Sequence, residues 1–148
     1  MEGDLDMKKE NGFSLLELLI VVAIILIIAT IAIPSLLRSR QAANESHAVA
    51  NLRTLNTAEV QYSSTSQQYG DVLALVNAGL LDASYVGGTA GYNFGVELSP
   101  NSLDYTATAI AQSVNSGRFD YFTKPDYVIR YSTDPNRAPT GFTGEPVH

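Results

Sequence analysis

Residues 10–34, ENGFSLLELLIVVAIILIIATIAIP, decide how this chain is read. Across residues 18–29 every side chain is Leu, Ile, Val or Ala, and from residue 13 to residue 33 the only polar ones are Ser14, Glu17 and Thr30. Wound as an α-helix, that 21-residue run would extend roughly 30 Å, the thickness of a bilayer's hydrocarbon core. In lipid the backbone has to satisfy its own hydrogen bonds, so helix is nearly forced despite the β-branched residues. Glu17 is the anomaly. An acid at the middle of a spanning helix costs about 2.5 to 3.5 kcal/mol on insertion scales, so one that persists has a partner or a task.

On the N-terminal side, MEGDLDMKKENG is charged and without apolar periodicity. Lys8 and Lys9 stand just before the apolar run, where the positive-inside bias would hold them at the cytoplasmic face. Met7 is an alternative to Met1 as the true start. On the C-terminal side, Pro34 removes one backbone donor and should kink or soften the helix. The helical signal then continues with a change of polarity: Val49, Leu52, Leu55, Ala58 and Tyr62 recur at spacings of three and four, the mark of an amphipathic helix with one buried stripe. An unbroken helix from Phe13 to about Ser66 would be on the order of 80 Å long, and its first half could project from a globule whose core covers only the second half.

The chain has 148 residues, a net charge of −6 and no cysteine, with a pI near 4.7. Beyond the apolar run about a hundred residues are left for one small core. The acidic balance argues against a general nucleic-acid binder, and the lack of cysteine excludes disulfides, thiolate catalysis and cysteine-based metal sites.

After Gly70, DVLALVNAGLLD predicts a short helix capped by Asp71, ended near Gly79 and docked by Val72, Leu75, Val76 and Leu80. GYNFGVEL alternates Tyr92, Phe94, Val96 and Leu98 on one face, the period of a half-buried strand; SPNS is turn chemistry, and LDYTATAIAQ returns. RFDYF and YVIRY, separated by TKPD, predict a second hairpin. The tail from Asp134, rich in Pro, Gly and Thr, is expected to be a surface loop without regular structure that Phe142 could pin. The tyrosines of this half, Tyr92, Tyr105, Tyr121, Tyr127 and Tyr131, are expected in strand packing. The expected fold class is α+β: a long N-terminal helix, transmembrane and then amphipathic, packed on a small antiparallel sheet of about four strands.

GFSLLELLIVVAIILIIATIAIP resembles the N-terminus of type IV prepilins and of the related type II secretion pseudopilins: a Gly, an aromatic residue, a Glu five residues after the cut and a long apolar helix. The match covers about residues 8–40, with the remainder similar only in layout. The resemblance implies a leader of residues 1–12, cleaved between Gly12 and Phe13 by a prepilin peptidase whose relatives also methylate the new amine of Phe13. It implies a membrane and filament-core helix over residues 13–34, its amphipathic continuation over residues 35–66, and a globular part over residues 67–148. Phe13 and Glu17, four apart, would share one helix face, and in a filament Glu17 would pair with the Phe13 amine, most often that of a neighbouring copy. The alternative for Glu17 is a carboxylate that snorkels to the membrane surface or is protonated. Two features depart from the family pattern. Leu26 stands where many members carry a glycine, so any unwinding of the helix would rest on Pro34, and no disulfide can close the C-terminal region.

The function so implied is a non-catalytic subunit of a type IV pilus, held in the inner membrane and then carried to the cell surface. Its partners would be copies of itself, the peptidase, the pilus assembly machinery and membrane lipid, with no cofactor and no specific nucleic acid. Motility, adhesion or DNA uptake would belong to the finished filament. The alternatives are a type II secretion pseudopilin and a membrane-anchored binding domain that never polymerises. A secretory signal peptide fits less well, because its apolar region is shorter and ends in an A-x-A-like cut. Arg38, Arg40, Glu45 and Arg53 are expected as solvated charges or headgroup contacts ahead of specific intersubunit pairs. His47 is expected on the exposed helix face, and His148 merely ends the chain. No metal site is expected, since Asp120, Asp126 and Asp134 do not form a dense oxygen-ligand loop.

Overall fold

The computed structural model describes residues 12–132 and 144–147. The chain divides into two compact units, one up to Leu36 and the other from Leu37 onward. Helix α1, Leu15–Ser66, contributes to both and is helical through Pro34. In the first unit the apolar side chains of α1 are exposed. The hydroxyl of Thr30 donates to the Ile27 carbonyl at 2.7 Å, so this mid-segment polar group is satisfied by its own helix.

In the second unit α1 carries the stripe expected from its spacing. Ala48, Val49, Leu52, Leu55 and Ala58 are buried and Tyr62 is half-buried against them. Burial begins at Glu45, one turn before Val49, the first residue of the expected stripe. The stripe packs with the inner face of a five-stranded antiparallel sheet in the order β1-β2-β3-β4-β5: Tyr92–Leu98, Tyr105–Ala111, Asp120–Thr123, Arg130–Ser132 and Glu145–Pro146. The register pairs Phe94 with Ala109 and Ala109 with Tyr121. Small Ala107 and Ala109 on β2 leave room for the large Tyr92, Phe94 and Tyr121 on either side, and all share the core with α1. Every residue of β3 is buried, so this strand is covered on both faces.

Asp71 caps α2, Val72–Asn77: its carboxylate accepts the Ala74 N–H at 2.7 Å, and Leu75 is buried on the inner side. Gly79 follows with φ +73, a left-handed turn that glycine adopts without steric cost. Asp71→Ala should lower the unfolding free energy by about 1 kcal/mol, read as a shifted urea midpoint with unchanged slope; Asp71→Asn, also a good cap, should restore most of it.

One element is unanticipated, and two expectations are corrected. A single-turn helix α3, Ser84–Gly87, follows α2 and buries Tyr85. The second hairpin is shorter than YVIRY suggested: Asp126 accepts the Val128 N–H at 3.1 Å and Tyr127 has φ +59, so the chain is still turning there and β4 starts only at Arg130. The tail is not wholly irregular, because β5 pairs Tyr131 with Glu145 and makes the sheet five-stranded. The Tyr131 hydroxyl donates to Glu145 Oε2 at 2.7 Å, and the Val147 N–H donates to the Ile129 carbonyl at 2.8 Å. Asp134, Phe142 and His148 lie outside the described residues, as do Met1, Met7, Lys8, Lys9 and the leader up to residue 11.

Candidate processing and assembly segment

The segment Gly12, Phe13 and Ser14 precedes α1 in non-helical conformation and is exposed. Expected as the first helical residue, Phe13 stands two residues before the helix begins at Leu15. The reason is local. Ser14 Oγ accepts the Leu16 N–H at 3.3 Å, and Glu17 Oε2 reaches back to accept the Ser14 N–H at 3.0 Å. This is a capping box, Ser-x-x-Glu, in which each side chain satisfies a backbone donor that the helix start leaves open. The carboxylate therefore has an intramolecular partner here. The one-face relation of Phe13 and Glu17 requires helix at Phe13 and is absent while the box holds.

Pro34 lies inside α1. Having no N–H, it leaves the Thr30 carbonyl without its usual helical donor. Leu36, Arg38 and Arg40 are exposed.

Glu45 corrects the solvated reading of the next charges. It is buried and held two-pronged by Arg118, whose Nε meets Oε1 at 3.0 Å and whose second terminal nitrogen meets Oε2 at 2.7 Å, while the Arg118 backbone N–H donates to Oε1 at 2.7 Å. Gln41 and Asn44 donate to the Val114 and Ser116 carbonyls at 2.7 and 2.8 Å, so one helix face ties down the whole β2–β3 connection. Two further polar residues, Asn56 and Glu59, sit on the buried stripe. Asn56 bridges the Thr123 hydroxyl at 3.0 Å and the Tyr105 hydroxyl at 2.8 Å. The sequence carried the signal for all three, because positions 45, 48, 49, 52, 55, 56 and 59 keep one three-to-four spacing; only their polarity hid them. Arg53 and His47 are exposed as expected. Among the described residues no group of three His, Cys, Asp or Glu side chains could hold a metal ion.

The structure thus joins a helix long and apolar enough to cross a membrane, capped at Ser14 and Glu17, to a small antiparallel sheet in the same chain. Residues 7–33 match the family model described as the prokaryotic N-terminal methylation motif. The chain is 43% identical over 63 residues to the type IV major pilin protein PilA of Myxococcus xanthus, an alignment covering 43% of this chain and 29% of that one. It is 39% identical over 75 residues to the type IV wide pilus major component PilA4 of Thermus thermophilus, covering 50% and 57%. With the type II secretion system core protein G of Vibrio cholerae it shares 35% identity over 63 residues, 43% of either chain. No solved structure gives a significant match. The matches thus span between 29% and 57% of the relatives' own lengths. The similarity is therefore to type IV pilins and to a type II secretion core protein, and it is carried by the N-terminal methylation motif and up to half of this chain.

Proposed function

We propose that this chain is the structural subunit of a bacterial type IV pilus and works by assembly, not by catalysis. The carrying observation is the head itself: an exposed Gly12–Phe13 junction before a capped helix whose apolar side chains have no cover in their own unit. Out of the bilayer such a surface needs a replacement solvent, and the helices of other copies supply it. Burying half of its Leu, Ile and Val side chains would contribute well over 10 kcal/mol gross, at about 1.5 to 3 kcal/mol each.

In this reading prepilin peptidase cuts between Gly12 and Phe13 on the cytoplasmic side, where Lys8 and Lys9 hold the leader, and the Phe13 amine is methylated. Residues 13–34 are the filament-core helix, residues 35–66 carry it into the domain, and residues 67–148 form the outer surface. The assembly machinery draws the subunit from the inner membrane into an extracellular filament serving motility, adhesion or DNA uptake. Glu17 then exchanges its partner: cleavage creates a positive amine at Phe13, and the carboxylate leaves the Ser14 N–H for an amine, fixing the axial register between copies.

Two of the relatives are named as major pilus components, which supports a major pilin. The likeness to a type II secretion core protein favours a second reading, a pseudopilin in a short periplasmic filament. Mass spectrometry of the N-terminal peptide from sheared extracellular filaments separates them. A chain starting at a methylated Phe13 in abundant filaments is the expected result. The processed chain found only in the membrane fraction would favour the pseudopilin, and an uncut chain would leave an anchored, non-polymerising domain.

A further inference from the structure

Under the connection between α1 and α2 lies an acid that the filament reading does not use. Glu59 is fully buried. Its Oε2 accepts the Gly70 N–H at 3.0 Å, and Oε1 has no hydrogen-bond partner among the described residues. Gly70 runs so close to Tyr62 that an added Cβ would stand 3.0 Å from the ring. Beside it the Tyr69 N–H donates to the Ser102 carbonyl at 2.9 Å, and the Tyr69 ring meets Tyr105 edge-on at 4.7 Å. Helix, loop and the β1–β2 turn therefore close together over this carboxyl.

The titratable groups acting on Glu59 bring no positive charge. Asp71 repels it from the start of α2; Tyr69 in the loop and Tyr105 on β2 feel it in turn, and Asp104, Asp126 and Tyr127 act on those two phenols. On its own helix Asn56 is committed to Thr123 and Tyr105, and Arg53 is exposed. A dry carboxylate with one donor and only acids and phenols around it is costly, whereas the neutral acid is not.

We propose that Glu59 is a proton-operated latch: as a neutral carboxylic acid it keeps the loop of residues 67–71 closed on the core, and on losing its proton it lets that loop open to water. Burial, reinforced by Asp71 and opposed by the Gly70 N–H, pushes the closed-state pKa from 4.5 up to about 7. Because the closed state holds the proton more tightly than the open one, closure is strongest below pH 4.5, weakens as pH rises through 7, and levels off above it. Between pH 5 and pH 8 the opening constant should rise on the order of tenfold to a hundredfold.

The test is hydrogen exchange, read by mass spectrometry on the full chain in detergent micelles at pH 5, 6.5 and 8, with intrinsic rates corrected. The expected result is a tenfold to hundredfold rise in opening of residues 67–71, against unchanged amides in β2 and β3, and no rise in Glu59→Gln. A wild-type loop with flat exchange, or a Glu59→Gln loop that keeps the pH dependence, would overturn the latch. Should Glu59→Gln fail to fold, a carbon-13 titration of the wild-type Glu59 carboxyl decides: a midpoint near 7 supports the latch and one near 4.5 overturns it. Neither readout involves assembly, so their failure leaves the filament reading standing.

Discussion

Glu17→Ala should abolish surface filaments, lowering the sheared-filament yield at least a hundredfold relative to the membrane pool, while the sheet domain stays folded. The argument rests on the two partners available to the carboxylate. In the structure it closes the capping box on the Ser14 N–H; in the proposed filament, cleavage would bring a positive amine within its reach in a core that excludes water. Removing one member of a desolvated ion pair costs about 3–5 kcal/mol, and each step of a growing filament would carry that loss. Glu17→Gln separates the two roles. Gln completes a capping box as Glu does but carries no charge, so it should keep the helix start and still fail to assemble. Quantitative blotting of sheared and membrane fractions for both variants reads the outcome. Wild-type filament yield from Glu17→Gln would leave helix capping as the carboxylate's whole contribution, and wild-type yield from Glu17→Ala would remove it from assembly altogether.

The second large effect lies in the sheet domain. Gly117→Ala should destabilise the full chain by about 3 kcal/mol, a drop of roughly 10–20 °C in the thermal midpoint. A Cβ at residue 117 would fall 1.9 Å from the Tyr92 hydroxyl and 2.6 Å from its ring carbon. Flexible side-chain ends can often move aside, but Tyr92 cannot. It is fully buried, and its hydroxyl donates to the Phe119 carbonyl at 2.7 Å. The loop cannot easily retreat either, because Ser116 and Arg118 on each side are bonded to Asn44 and Glu45 of α1. Near-ultraviolet circular dichroism during thermal unfolding would measure the loss. Adding Tyr92→Phe removes the oxygen but not the ring, so the double variant should be less destabilised than the sum of the single ones, by about 1 kcal/mol. A Gly117→Ala chain within about 0.5 kcal/mol of wild type would show that the β2–β3 connection shifts freely, against the five bonds that hold it.

Those five bonds also show why Arg118 and Glu45 could not be matched in advance. They lie 73 positions apart, and nothing in the local sequence of either points to the other. Arg118 is more than half exposed, so the pair contributes less than its geometry alone suggests. Its larger effect is to position the loop that carries Gly117.

What the sequence by itself determined was most of what has a short period or a local cause; the YVIRY pattern, still turning at Tyr127, is the exception. Residues 15–33 are helical as expected of an apolar run whose backbone, in lipid, no other structure would satisfy. The stripe from Val49 to Tyr62 had to face a core because its spacing matches the helical turn. Asp71 had to cap α2, and Tyr92 and Phe94 had to share one strand face. The Ser14 and Glu17 pattern was equally legible as a capping box, because Ser-x-x-Glu ahead of an apolar run is a helix-start signature.

Tertiary structure alone decided where polar side chains find partners far along the chain. Glu45, Asn56 and Glu59 occupy stripe positions that polarity assigned to solvent, and each is buried because Arg118, Thr123 with Tyr105, and Gly70 come to meet it. The addition of β5 to the sheet has the same origin. Glu145 and Pro146 have little strand propensity of their own, and they are ordered by the open edge of β4 that accepts them. Local pattern sets which face of an element is buried; what a buried polar group bonds to depends on which distant backbone the fold returns to it.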